Sequence, residues 1–317
     1  MINNNYRSFI CGIKSYNLSN KEIIFLKNYR PWGIILFSRN IKTIEQTQKL
    51  TKSIRKIFKN ENYPILIDEE GGRVSRLKKF LDNSIFTAKF FGDMYLKDKK
   101  KFQIYFNVYI KQISYLLKLL GINLNTVPVL DLRRKNSHNI IGDRSYSDNK
   151  NLVSKIGDFC IDNFHNNRIA TIIKHIPGHG LSKVDSHIKL PIINKDLKYL
   201  LKNDFKIFKN KKSLFCITGH LLFSKIDKNN TATHSKKIIK IIRKLIGFKN
   251  IIITDDLSMK SLEYSIELNT KKSFKAGCNL ALHCNGNLNE MTKVAKNSPK
   301  VSNFILKKTS QFTDIIS

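Results

Sequence analysis

Eight short runs rich in β-branched residues recur along the chain, with helical stretches between them. The runs are Phe9 to Ile13, Gly33 to Phe37, Pro64 to Ile67, Asn123 to Leu130, Ala170 to Ile173, Leu214 to Ile217, Asn250 to Ile253 and Asn279 to Leu282. Strands alternating with helical crossovers build a parallel sheet. Eight of them match in number a closed (β/α)8 TIM barrel, an α/β fold that takes roughly 250 residues and fits within this chain as a single domain. No linker rich in Pro, Gly or Ser and no internal repeat divides the sequence. Residues 1–300 are therefore assigned to the barrel, and 301–317 to a polar C-terminal tail that frays.

The intervening segments carry helix signals. In Thr43 to Phe58, Thr43 and Gln46 have capping-box spacing, and Ile44, Leu50, Ile54 and Ile57 form one apolar face. Lys100 to Leu120 stops at Gly121 and His234 to Ile246 stops at Gly247, the residue type favoured just past a helix end.

A formal net charge of +33 by itself points to an acidic partner such as nucleic acid or an anionic membrane. Lysine is spread along the whole chain, however, and accompanied by asparagine and isoleucine, the signature of an AT-rich genome. A nucleic-acid binder concentrates its charge on one stripe or tail, so no nucleic-acid partner is expected. The five cysteines are odd in number, scattered and free of any two-residue spacing, which reads as a reducing compartment. The first residues lack a signal-peptide pattern and no run of about 18 apolar residues occurs, so a cytoplasmic protein without a membrane partner is expected.

Polar clusters directly follow several strands: Asp68 to Arg76, Asp131 to Ser147, Lys174 to His187, Gly219 to His220 and Asp255 to Met259. In a barrel they meet at one mouth, where the βα loops converge. The stretch KHIPGHG (Lys174 to Gly180), followed by Asp185-Ser186-His187, holds three histidines, a lysine and a carboxylate. His175 and His179 have a zinc-like gap, but Pro177 and Gly178 remove the helical face such ligands need, and no metal is expected. A carboxylate paired with an imidazole, Asp185 with His187, makes a proton donor near neutral pH; merely solvated loop residues are the plainer alternative.

NIIITDDLSM, Asn250 to Met259, is an apolar strand ending in two carboxylates. Strand alternation allows at most one of Asp255 and Asp256 to face the mouth, without saying which. A carboxylate there suits attack on an anomeric carbon, or a helix N-cap. In DEEGGRVSR, Asp68 to Arg76, a carboxylate at a strand end accepts sugar hydroxyls, while Gly71 and Gly72 permit a tight turn. A magnesium site from Asp68, Glu69 and Glu70 is the weaker reading.

Taken in order, PWGIILFSRN (31–40), IDEEGGRVSR (67–76), VPVLDL (127–132), IGDRSYS (141–147), KHIPGHG (174–180), DSH (185–187), ITDDLSM (253–259) and AGCNLALHCN (276–285) resemble bacterial members of glycoside hydrolase family 3, the β-N-acetylglucosaminidases of peptidoglycan recycling. The resemblance implies a single-domain barrel and retaining, double-displacement hydrolysis of a peptidoglycan-derived sugar without metal or organic cofactor. It also implies Asp255 as nucleophile, His187 as acid/base on a mobile loop with Asp185 assisting, and Asp68, Arg76, Arg144, Lys174 and His175 as binders of the terminal sugar.

A histidine in place of a second carboxylate removes a negative charge from such a site. It thereby eases the approach of phosphate, which makes phosphorolysis the alternative to hydrolysis. A basic nucleic-acid or anionic-surface binder on an inactive barrel is a further alternative. The chain departs from the family pattern at Glu69, usually glutamine, at Asn279, usually aspartate, and at Gly219-His220, usually Ala-His. These changes are expected to lie beside the reacting groups and to alter affinity and rate.

Overall fold

A computed structural model describes residues 2–134, 138–186 and 188–317. Its strands are β1 (Arg7–Gly12), β2 (Pro31–Leu36), β3 (Ile65–Ile67), β4 (Leu124–Asn125), β5 (Ala170–Ile176), β6 (Ile192–Ile193), β7 (Phe215–Thr218), β8 (Leu222–Phe223), β9 (Ile251–Asp256) and β10 (Leu280–His283). β1, β2, β3, β4, β5, β7, β9 and β10 close in that order into a parallel barrel, while β6 and β8 pair separately. Each of the eight expected runs supplies one barrel strand. Asn123 to Leu130 contributes least, only β4 and an isolated bridge from Val129 to Lys174. Pro128, lacking an N–H, interrupts that run.

The helix Ile44–Phe58 begins as its sequence indicates, with Thr43 accepting a hydrogen bond from Gln46 N at 3.1 Å. The reciprocal half of the box is not made, because Gln46 Oε1 accepts from Lys42 N at 2.8 Å. The helix Lys99–Leu119 ends before Gly121, whose φ of +75° suits glycine. The expected helix from His234 to Ile246 is instead Lys236–Ile241 followed by a wider π turn, Ile242–Ile246. All five cysteines are free thiols. Among the described residues no helix is long and apolar enough to cross a membrane.

The C-terminal segment corrects the expectation of a fraying tail. Residues Asn303–Ile316 form a helix capped by Ser302, and Ile305, Thr309 and Phe312 bury one face of it. The Phe312 ring packs on Trp32 and Phe215, with centroids 6.3 and 6.0 Å away, and Trp32 Nε1 donates to Thr309 Oγ1 at 2.9 Å. Trp32 and Phe215 lie at the starts of β2 and β7, so this helix closes the barrel end opposite the polar loops. Thr309→Val leaves the buried indole N–H without an acceptor, and a loss of about 1–3 kcal/mol in urea unfolding is expected. Unchanged stability would mean that this hydrogen bond contributes nothing to the packing of the helix.

Candidate active site

The C-terminal ends of the strands surround a cavity of about 140 Å³. Asp68 follows β3, Lys174 and His175 belong to β5, Asp255 to β9, and Arg76 and Arg144 reach in from loops; all six line the cavity. The loop after β5 adds His179 and Ser186. Asp185, half-buried, immediately precedes Ser186. His187 lies outside the described residues.

Two irregularities in the sheet determine which side chains face inward. Between β9 and β10 the pairing runs from Ile253 with Leu280 to Asp256 with Leu282, three steps against two. An extra residue in one strand breaks the alternation of side chains. Asp255 and Asp256 consequently both line the cavity, contrary to the expectation that one of them faces the helices. β5 has the same device: Lys174 pairs with Ile217 and Ile176 with Thr218, so His175 is the extra residue and joins Lys174 at the wall.

The two aspartates differ in how they are held. Asp256 accepts from Ser258 N and Cys284 N at Oδ1, both 3.1 Å, and from Ser258 Oγ at Oδ2, 2.8 Å. It thus ties its own loop to the end of β10. Asp255 Oδ1 accepts the Asp256 N–H at 2.9 Å. Buried His220 spans Thr233 Oγ1 at 2.7 Å and the Asp256 carbonyl at 3.1 Å, supporting this strand end from behind. Burial lowers the His220 pKa, only partly offset by the nearby Asp255 charge.

Facing Asp255 across the mouth is a network of alternating charge. Arg76 Nη2 donates to Asp68 Oδ2 at 2.9 Å, and Thr126 Oγ1 to Asp68 Oδ1 at 2.5 Å. Lys174 Nζ bridges Asp68 and Glu70, the latter at 2.6 Å. Arg144 grips Glu70 through two bonds of 2.7 and 2.8 Å, the bidentate geometry that a guanidinium favours. Burial would raise the Asp68 pKa, but the Lys174 and Arg76 charges and the hydrogen bonds hold it well below the usual carboxylate range. Glu70 is likewise lowered, burial being outweighed by Arg144 and Lys174. Both are ionised, and Asp68, which lines the cavity, is the one available to hydroxyl donors.

Residues that sequence reasoning passed over provide the frame. Asp131, with a fully buried side chain, accepts from His175 Nδ1 at 2.7 Å, His175 N at 3.2 Å and His179 N at 2.6 Å. A carboxylate at the end of VPVLDL was the available signal, but its partners lie more than forty residues further on. Glu69 is not a ligand-facing group: buried, it accepts from Ser75 Oγ, Arg76 N, Leu77 N and Asn83 Nδ2 and shapes the loop. Gly71, at φ +83°, admits no side chain because a Cβ would sit 2.4 Å from the Tyr109 hydroxyl.

The expectation that Asn279 lies beside the reacting groups is also corrected. It precedes β10 at the opposite end of the barrel, where its Oδ1 accepts from Arg243 Nη2 at 2.7 Å and Ile252 N at 2.8 Å. An amide oxygen meets both donors, so exchanging aspartate for asparagine there leaves the mouth untouched. Among the described residues no group of three or more His, Cys, Asp or Glu side chains is arranged to hold a metal ion.

Comparison with known proteins agrees with this fold. The profile of the glycosyl hydrolase family 3 N terminal domain matches residues 11–309. A beta-hexosaminidase of Actinobacillus pleuropneumoniae serotype 5b is 30% identical over 288 residues, covering 87% of this chain and 80% of that protein. A beta-hexosaminidase of Haemophilus influenzae (strain PittEE) is 29% identical and covers 98% of this chain and 92% of its own length. Among solved structures, NagZ from Neisseria gonorrhoeae in complex with zinc ion superposes with a TM-score of 0.85 at 25% identity, over 98% of this chain and 90% of that one. The same protein in complex with N-trifluoroacetyl-D-glucosamine gives 0.81 at 25% identity, with 99% of each chain covered.

Proposed function

Because the chain belongs to glycosyl hydrolase family 3, we propose that it is a β-N-acetylglucosaminidase that removes a terminal β-1,4-linked N-acetylglucosamine from peptidoglycan fragments in the cytoplasm. The observation that carries this reading is the placement of Asp255 opposite the Asp68–Arg76–Lys174 cluster in one cavity.

In the proposed reaction, sugar hydroxyls donate to Asp68 and accept from Arg76 and Lys174, while Arg144 and His175 complete the wall. The Asp255 carboxylate attacks the anomeric carbon, and the glycosidic C–O bond breaks. His187, assisted by Asp185, protonates the departing oxygen. In the second step the same imidazole takes a proton from water, whose oxygen displaces Asp255 and restores the free carboxylate. No metal or organic cofactor enters either step, and the anomeric configuration is retained.

Three cations that line the cavity among the described residues, Arg76, Arg144 and Lys174, give phosphorolysis a specific footing as the second reading. Mass spectrometry of products from an anhydro-muropeptide, with and without phosphate, separates the two. Free N-acetylglucosamine is expected in both buffers. Sugar 1-phosphate as the main product in phosphate would overturn hydrolysis, and an uncleaved substrate would remove both readings in favour of a non-enzymatic, charge-driven role.

A further inference from the structure

Two loops meet beside the cavity through a crossed set of ion pairs. The loop after β3 carries Glu70 and Arg73, while segment 138–144, after β4, carries Asp143 and Arg144. Arg144 grips Glu70 on the inner side, and farther out Arg73 Nε donates to Asp143 Oδ1 at 2.7 Å. Both members of the outer pair are more than a third exposed. An ion pair so placed contributes little by itself.

Arg73 makes a second contact of a different kind. Its Nη2 donates to three consecutive carbonyls, Asn139 O at 2.6 Å, Ile140 O at 2.9 Å and Ile141 O at 3.2 Å. Three oxygens that converge on one point repel one another unless a positive charge stands between them. Nη2 has two protons for three acceptors, so one proton is shared and the charge of the guanidinium matters as much as its hydrogen bonds.

The two sides of this contact are unequally anchored. Arg73 stands in a tight turn closed by Glu70 N donating to Val74 O at 2.9 Å and Val74 N to Gly71 O at 3.2 Å, and Asn83 O accepts from Gly72 N at 3.1 Å. Segment 138–144 has a single short helical turn, Gly142–Arg144. Apart from Arg73, its described hydrogen bonds to distant parts of the chain are at its two ends, His138 N to Ser182 O at 2.8 Å and Arg144 to Glu70. Between those ends lie Ile140 and Ile141, which line the cavity together with Arg144. Arg73 therefore holds the stretch of this segment that the end contacts leave unsupported.

From this geometry we infer that Arg73 is a positioning residue for the sugar-binding wall: its guanidinium is the cation around which the backbone of residues 139–141 turns, and it keeps Ile140 and Ile141 at the cavity beside Arg144. The inference rests on the hydrolytic reading above. Losing the cation loosens this wall, whereas Asp68 and Lys174 keep the ion pair that joins the ends of β3 and β5.

A wall that binds the sugar equally before and during bond cleavage changes KM and leaves kcat alone. The test measures KM and kcat for p-nitrophenyl β-N-acetylglucosaminide, with Ki for free N-acetylglucosamine, in Arg73→Ala and Asp143→Ala. A misplacement of about 1 Å can cost on the order of 10²-fold. Arg73→Ala is expected to raise KM and Ki together by about 10 to 10²-fold with kcat little changed. Asp143→Ala keeps the three carbonyl contacts and is expected to stay within about fivefold of wild type.

Guanidinium ion, added well below denaturing concentration, is expected to restore Ki in Arg73→Ala in a saturable manner and to leave the wild type unaffected. Equal recovery in sodium chloride, no recovery at all, or a loss in Asp143→Ala as large as in Arg73→Ala would overturn the role of the cation. If Arg73→Ala does not fold, Arg73→Gln, whose amide still reaches one carbonyl, takes its place, and a wild-type Ki there would overturn the inference. The wild type is the reference for the reading beneath it. If it neither cleaves the glycoside nor binds N-acetylglucosamine, the proposed function fails; if it does both and the Arg73 variants match it, only the positioning role fails.

Discussion

Asp255→Asn is expected to lower kcat/KM for the aryl β-N-acetylglucosaminide by about 10⁴-fold or more, in line with removal of a covalent nucleophile elsewhere. The substitution is isosteric, and its amide oxygen still accepts the Asp256 N–H that Asp255 Oδ1 binds at 2.9 Å, so the strand end keeps its shape. What disappears is the anion able to bond to the anomeric carbon. Asp256→Asn is the informative control, because Asp256 already spends both oxygens on Ser258 and Cys284. An amide there opposes one of those donors and loosens the loop, lowering stability as well as rate. Loss confined to catalysis in the first variant, and shared between catalysis and thermal stability in the second, is the expected pair of results. Retention of activity within tenfold in Asp255→Asn would exclude it as nucleophile.

Much of the architecture was legible because it depends on period and count. β-branched runs separated by helical stretches define a parallel sheet, and eight of them define its closure. The site was partly legible for the same reason: clusters that follow strands must share one mouth, and Asp68, Arg76, Arg144, Lys174, His175 and Asp255 do line one cavity. Strand alternation misled at its end. It sends neighbouring residues to opposite faces, yet the extra residues in β5 and β9 turn Lys174 with His175, and Asp255 with Asp256, to the same side. Such a bulge depends on the register with the adjacent strand, which one strand's residues do not encode.

Run-level reading also failed to separate the three carboxylates of DEEGG. Asp68 lines the cavity, Glu69 folds the loop and Glu70 anchors Arg144 and Lys174. The distinction comes from partners at 126, 144 and 174, far along the chain. The helix Asn303–Ile316 was missed for a different reason. Only Ile305, Thr309 and Phe312 need be buried, and their spacing is diluted by the polar residues around them.

Asp131→Asn is expected to destabilise the protein by about 3–5 kcal/mol, the range for breaking a buried, hydrogen-bonded charge pair from one side. The wild-type carboxylate receives three N–H donors, from His175 Nδ1, His175 N and His179 N. An amide offers one oxygen and directs its own NH2 toward at least one of those donors, leaving buried N–H groups unpaired. The effect depends on pH in a defined direction. Burial favours the neutral acid, but the His175 charge and hydrogen bond, with His179, outweigh it and hold the Asp131 pKa below its unfolded value. A depressed carboxylate pKa means the unfolded chain binds more protons in the window between the two values, so this contribution is complete above about pH 4 and drains away as pH falls through the folded pKa. Urea unfolding of both proteins from pH 7 downward should therefore show a wide gap that narrows below about pH 4. A gap that stays constant to pH 3 would mean Asp131 does not act through its charge. Catalysis is expected to fall in the same variant at neutral pH, because a single carboxylate registers the cavity-wall His175 and the backbone of His179.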